Sequence, residues 1–185
     1  MIKGKSFLAI IPARAGSKRL PKKNHLILAK KPLIEWTIEA AKKSKYIDDI
    51  VVSSDDKKIL DIAKKMKVIA QERPAEIAAD TSSSAECVDY VLKNSLKNYD
   101  YLIFLQPTSP LRTDNDIDSA IKKTIDLKAS SITSVTESEH NPLWAATLPK
   151  DYSIDNFISK NIREKRGQDL PVFYRLNGAI YIVKV

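Results

Sequence analysis

The sequence predicts an α/β fold of the Rossmann-like, doubly wound kind, built on a mostly parallel sheet. Three observations lead there. Apolar runs of strand length alternate with stretches of helical period. Two of the runs, FLAIIPA and YLIFLQP, are almost continuously apolar, as strands covered on both faces are. A proline-containing polar turn follows directly after each of those two runs. With 185 residues, 43% of them hydrophobic, the chain fills one ordinary domain and not two.

Taken in order, Phe7 to Ala13 is the first strand, and its unbroken apolar character puts it near the middle of the sheet. Pro32 then opens a helix whose apolar face is Leu33, Ile34, Trp36, Ile38, Ala40 and Ala41, with Lys42, Lys43 and Lys45 near its negative end, and which stops by Tyr46. DDIVVSSDD at 48–56 reads as a strand, with Asp55 or Asp56 placed to cap a helix through Lys65. A further helix runs from about Ser82 to Leu96 and leads into the strand YLIFLQP at 101–107. Thr113 or Asp114 caps a helix through about Leu127, and the β-branched run SSITSVTE at 130–137 is the next strand. The alternation then stops over 138–173 and resumes as a strand at Ala179 to Val183, so an excursion interrupts the sheet.

Composition narrows the function classes. The one cysteine, Cys87, excludes an internal disulfide and reads as core, and with only His25 and His140 no Cys/His metal cluster can be built. There is no apolar run long enough to span a bilayer and no leader with a cleavage site, which predicts a cytoplasmic protein with no membrane partner. The net charge of +8 is local: residues 1–45 hold twelve Lys/Arg against two acids, and the remainder nineteen against twenty-one. A cationic segment of this kind suits a small polyanion. Nucleic acid is excluded as a partner, because aromatic residues are only 7% of the chain and the basic excess is confined to one region.

That region is IPARAGSKRLPKKN at 11–24, where ligands of open α/β sheets bind. Arg14, Lys18, Arg19, Lys22 and Lys23 put five cations within ten residues, while Ala15 and Gly16 let the backbone turn tightly and aim N–H groups outward. Arginine grips phosphate oxygens bidentately and lysine acts as a movable charge, so this loop reads as a triphosphate cradle. Neither a Walker sequence nor a G-x-G-x-x-G is present. QPTSPLR at 106–112 stands at the end of the other buried strand, its prolines leaving Gln106 and Ser109 as neutral hydrogen-bonding groups for a sugar's amide or hydroxyls. ERPAEIAADTSSSAE at 72–86 gathers four hydroxyls at a helix start, more than capping needs, and the surplus suits a base or ribose.

Together with RGQDLPVFYRLNGAIYIV at 166–183, these motifs resemble the CMP-N-acylneuraminate (CMP-sialic acid) synthetases, or acylneuraminate cytidylyltransferases, over nearly the whole chain. The resemblance implies a nucleotidyltransferase that moves CMP from CTP to a nine-carbon 2-keto acid sugar and releases pyrophosphate. It implies that Arg14, Lys18, Lys23 and Asn24 serve the CTP phosphates and nucleoside, that Arg73, Ser82 and Ser84 line the nucleotide pocket, and that Gln106 faces the sugar's substituents. Tyr174 and Asn177 would flank the sugar. Arg166 would be catalytic, with Lys165 and Arg163 as rivals, and 138–173 would be a dimerisation arm of a homodimer. CMP-KDO synthetases have a similar basic loop but place an acidic metal ligand in the second turn, where Gln106 to Pro110 offers none.

The sequence departs from that family in two places. Arg166-Gly167-Gln168 stands where the family has RRQ. The family also continues past the strand ending at Val185 into a tail whose acidic pair binds magnesium, so Mg2+ is implied as cofactor while no ligand for it can be named. A shortened, catalytically weak CTP-binding homologue and a CMP-KDO-type synthetase are the alternatives.

Overall fold

The computed structural model describes residues 1–16, 20–79, 81–155 and 157–185. It forms two compact units, Met1–Ser134 with Gly178–Val185, and Val135–Asn177. The second includes the 138–173 stretch where periodicity fails in the sequence.

The first unit is built on a six-stranded sheet in the order β5-β4-β1-β6-β8-β7. Its strands are β1 (Phe7–Pro12), β4 (Asp49–Ser54), β5 (Ile69–Glu72), β6 (Tyr101–Phe104), β7 (Ser131–Glu137) and β8 (Tyr174–Lys184). A separate hairpin joins β2 (Ile27–Leu28) to β3 (Lys31–Pro32). β1 pairs in parallel with β4 and β6, and β4 with β5, whereas β8 runs antiparallel to β6. The sheet is therefore mostly parallel and β1 is internal, as the sequence predicts.

The unbroken apolar character of β1 has a two-sided cause. Phe7, Ala9 and Ile11 enter a core with Ile34 and Ile38 of α1 (Leu33–Lys43), Ile59 and Ala63 of α2 (Lys57–Lys65), and Ile117 and Ile121 of α5 (Asp114–Asp126). Leu8 and Ile10 point the other way, into a smaller cluster with Leu102, Phe104 and Val91 of α4 (Ser84–Lys93). Each such side chain contributes about 1.5–3 kcal/mol on full burial. Across the β1–β6 pair, the Phe7 and Tyr101 rings stack with centroids 5.0 Å apart.

The caps settle the choices that the sequence leaves open. Asp56, not Asp55, caps α2 by accepting the Lys58 N–H at 2.9 Å. Thr113 caps α5 in a reciprocal box with Asp116, and Ser83 caps α4 in another with Glu86. α4 therefore starts after Ser83 and ends at Lys93, shorter than the predicted 82–96.

Five elements have weak sequence signals. The β2–β3 turn places Ala29 and Lys30 at φ of 47° and 78°, the primed-turn geometry usually marked by Asn-Gly. Trp36 holds this hairpin through its indole N–H, which donates to the Leu28 carbonyl at 3.0 Å. β5 is four residues of mixed exposure, and α3 (Ala75–Ala78) is a single turn. β8 begins at Tyr174 rather than Ala179, because its first four residues are exposed and carry no core pattern.

Within the second unit are α6 (Lys160–Arg163) and two short 3-10 turns, and Leu170 is its one buried hydrophobic residue among those described. No helix among the described residues is long and apolar enough to cross a membrane.

Candidate functional site

A cleft of about 310 Å³ opens in the first unit where β1, β5 and β6 end. The three sequence stretches that carry the chemistry converge on it. The 11–24 loop contributes Arg14, Gly16, Lys23 and Asn24, the 72–86 segment Arg73 and Ser82 to Ser84, and the 106–112 turn Gln106, Pro107 and Thr108. Phe104 and the buried Cys87 also line it, so Cys87 is both core and lining. Seven of the residues named from sequence thus share one cavity: Arg14, Lys23, Asn24, Arg73, Ser82, Ser84 and Gln106. Ser109 is not among the lining residues, and Lys18 lies outside the described residues.

The backbone explains the convergence. Arg14 Nη1 donates to the Ala79 carbonyl at 3.0 Å, tying the loop after β1 to the end of α3. Asn24 Nδ2 donates to the Arg14 carbonyl at 3.3 Å and folds the loop back on itself. Arg73 N–H donates to Ser54 O at 2.9 Å, which fixes the residue after β5 to the end of β4. Asn24 and Arg73 are both buried, at 6% exposure, and Asn24 Oδ1 and Arg73 Nε have no hydrogen-bond partner among the described residues. A buried acceptor and a buried donor without partners are unusual in a folded protein, and both belong to residues that line the cleft.

Two details differ from the sequence reading. The Ala15 N–H does not project outward; it donates to Asp55 Oδ1 at 2.8 Å. Nor does Gly16 have the positive φ or the close neighbour that requires a glycine, since a Cβ there would meet nothing within 4 Å; among the described residues of the loop the left-handed one is Lys22, with φ 53°. The hydroxyl cluster divides its labour. Ser83 caps α4, Ser82 Oγ donates to the Glu76 carbonyl at 2.9 Å, and Ser84 faces the cleft from the helix start.

Sequence reasoning missed Arg112, although it ends the QPTSPLR motif. This guanidinium is 7% exposed, and burial pushes its pKa down to about 10, opposed by the charge of Asp116. Nothing in the sequence distinguishes it from an exposed turn arginine. Arg166, Tyr174 and Asn177 belong to the second unit. There Arg166 Nε lies 3.0 Å from Asp169 Oδ2, and Tyr174 is 64% exposed. A Cβ at Gly167 would lie 3.1 Å from Cη2 of Trp144, so a larger residue there would press on that ring.

The cytidylyltransferase family model matches residues 8–175. The chain belongs to that cytidylyltransferase family. Curated relatives of this cytidylyltransferase include the CMP-N,N'-diacetyllegionaminic acid synthase of Legionella pneumophila, 37% identical, with 95% of this chain and 76% of that protein covered. The N-acylneuraminate cytidylyltransferase of Escherichia coli is 37% identical over 95% of this chain, which spans 41% of that longer protein. The pseudaminic acid cytidylyltransferase of Campylobacter jejuni is 35% identical, with 94% and 76% covered. Among solved structures, CMP:2-keto-3-deoxy-manno-octonic acid synthetase complexed with CTP superposes with a TM-score of 0.72 at 20% identity, covering 97% of this chain and 74% of that one. This likeness shows the nucleotidyltransferase fold.

Proposed function

We propose that the chain transfers CMP from CTP to an acidic nine-carbon 2-keto sugar of the sialic acid type. The observation that carries this reading is the convergence of Arg14, Lys23, Asn24, Arg73, Ser84 and Gln106 on one cleft at the strand ends. The names of the relatives support it, since they act on legionaminic, neuraminic and pseudaminic acids. The sugar's anomeric oxygen attacks the α-phosphorus, the bond from that phosphorus to the bridging oxygen breaks, pyrophosphate leaves, and the hydroxyl proton passes to solvent. Arg14 and Lys23 hold the phosphates and offset their charge as it shifts toward the leaving group. Asn24 and Arg73, which line the cleft with their Oδ1 and Nε buried and without a partner, suit the nucleoside. Gln106 faces the acceptor, and the resemblance assigns Tyr174 and Asn177 to the same sugar and Arg166 to catalysis.

The magnesium that the resemblance implies is proposed as an ion carried by the nucleotide. The described lining of the cleft contains no Asp or Glu, and no group of three His, Cys, Asp or Glu able to hold a metal occurs among the described residues. These residues do not make a magnesium site, since Mg2+ usually takes one or two protein carboxylates beside phosphate oxygens, and no step is routed through the ion. A homodimer joined through the 135–177 unit is part of the proposal, supported by the exposed Tyr152, Ile154, Val172 and Leu176 there. A cytoplasmic location, where CTP is at hand, belongs to the same proposal.

The test is pyrophosphate release from CTP with N-acetylneuraminic, legionaminic and pseudaminic acids in turn, beside calorimetry of CTP, ATP and GTP. Turnover with one of these sugars and a preference for CTP are expected. Equal affinity for the three nucleotides removes the cytidine assignment, and turnover only with an eight-carbon acid moves the chain to the KDO-type reaction.

A further inference from the structure

Arg112 takes no part in the proposed transfer, yet it is buried among neutral acceptors. Its Nη1 donates to the carbonyls of Gln106 at 3.2 Å and Ala179 at 2.7 Å, and Nη2 donates to Thr37 Oγ1 at 2.8 Å. Removing a cation from water with no carboxylate bonded to it, and only the charge of Asp116 acting on it, is costly, so the arrangement has to be held by the rest of the fold. Its effect is to draw together the end of β6, the middle of β8 and α1. Beside Ala179 stands Gly178, at φ +74°, where a Cβ would lie 2.9 Å from Gln106 Oε1 and 3.7 Å from its Cδ. A real Cβ is essentially never that close to another heavy atom, so the Gln106 side chain occupies space that any residue but glycine would fill.

We propose that Arg112 and Gly178 are positioning residues that together aim the Gln106 amide and thereby set which acceptor sugar is taken. Arg112 fixes the Gln106 backbone through its carbonyl and locks that strand end to Ala179. Gly178, next in the chain, leaves open the place that the Gln106 amide oxygen occupies, a place that any Cβ would close. A glutamine with free side-chain torsions discriminates poorly between an acylamino group and a hydroxyl. One whose amide is held presents a set donor and acceptor, and mismatched groups are left unpaired. The inference rests on the sugar-facing role of Gln106 proposed above.

The experiment is a double-mutant cycle with acceptors that differ only in carrying an acylamino group or a hydroxyl. The readouts are the ratio of kcat/KM between the two acceptors and the calorimetric Kd for CTP. Gln106→Ala should change the acceptor ratio about three- to tenfold, the worth of a neutral hydrogen bond. Gly178→Ala should change it in the same direction, leave the CTP Kd within about twofold, and add nothing when Gln106→Ala is already present. Arg112→Lys, which keeps the charge but has one nitrogen where the guanidinium uses two, should move the ratio likewise and also only in the presence of Gln106. It gives a second route should Gly178→Ala be too strained to fold. A Gly178→Ala or Arg112→Lys effect that persists undiminished without Gln106, or that falls equally on CTP, overturns the inference while the role of Gln106 stands. A Gln106→Ala protein with an unchanged acceptor ratio overturns both.

Discussion

The carboxylate of Asp55 accepts the backbone N–H of Ala15 at 2.8 Å. Its neighbours act on the same loop. Ser54 Oγ donates to the Ala13 carbonyl at 2.5 Å, and Asp56 Oδ2 lies 2.6 Å from His25 Nε2. Three consecutive residues at the end of β4 thus hold both ends of the basic loop that carries Arg14 and Lys23 to the cleft. Asp55→Ala is expected to weaken CTP binding about tenfold, since a hydrogen bond to a charged group contributes about 1.5–3 kcal/mol, while the fold persists. Asp56→Ala should instead lower stability, by about 0.5–2 kcal/mol for the lost helix cap. Calorimetry with CTP and thermal melts of both variants check the division; identical effects from the two would remove it.

Much of this was legible because the signals are local. The double-sided burial of β1 writes itself as FLAII, and Pro12 at the end of β1 and Pro107 after β6 mark where those strands stop. The cleft residues could be named because each sits directly after a strand or at a helix start. What stayed hidden depends on distant partners. Arg112 becomes a buried clamp only through Thr37 and Ala179, and Gly178 matters only because Gln106 lies against it. The Ala29–Lys30 turn reached its positive φ values with residues that carry no such preference, held by Trp36.

Arg14→Ala should weaken CTP binding by about 1.5–3 kcal/mol, tenfold or more in Kd, through loss of a charge-assisted contact to phosphate. The melting temperature should change little, because the Arg14 bond to Ala79 is exposed. Unchanged affinity, or a protein that fails to fold, removes the phosphate role from this residue.

Away from the cleft, Asp100 ties the start of β1 to the start of β6. Hydrogen bonding from Lys5, then from the Ser6 N–H, holds its pKa at about 2, below the ordinary 3.8. A depressed carboxylate stabilises the fold above its unfolded pKa, and that contribution is lost as pH falls from about 3.8 toward 2. Asp100→Asn should therefore melt below the parent at about pH 6 and approach it at about pH 2. Parallel melting curves across that range would show that the Lys5 pair is not the source.

Arg166 is the assignment for which charge alone decides least. Its guanidinium pairs with Asp169 at 3.0 Å with 75% of the side chain exposed, and an exposed pair of this kind contributes about 0.2–1 kcal/mol. Its rival Arg163 is occupied otherwise, since Nη2 donates to the carbonyls of Asp155 at 2.9 Å and Ile158 at 3.1 Å. Arg163→Ala should accordingly loosen the turn before α6 and leave kcat nearly unchanged. The resemblance assigns the catalytic role to Arg166, and its exposed pair leaves that guanidinium less committed than one bonded to two carbonyls. Arg166→Ala should then lower kcat by about tenfold or more with the oligomeric state unaltered, because a contact made in the transition state acts on turnover more than on ground-state affinity. Asp169→Asn, which frees the arginine, should leave kcat within about twofold. Were Arg166→Ala to keep kcat within that same margin, or sediment as monomers where the parent is a dimer, the arginine would belong to the subunit interface and Lys165 would become the residue to test for catalysis.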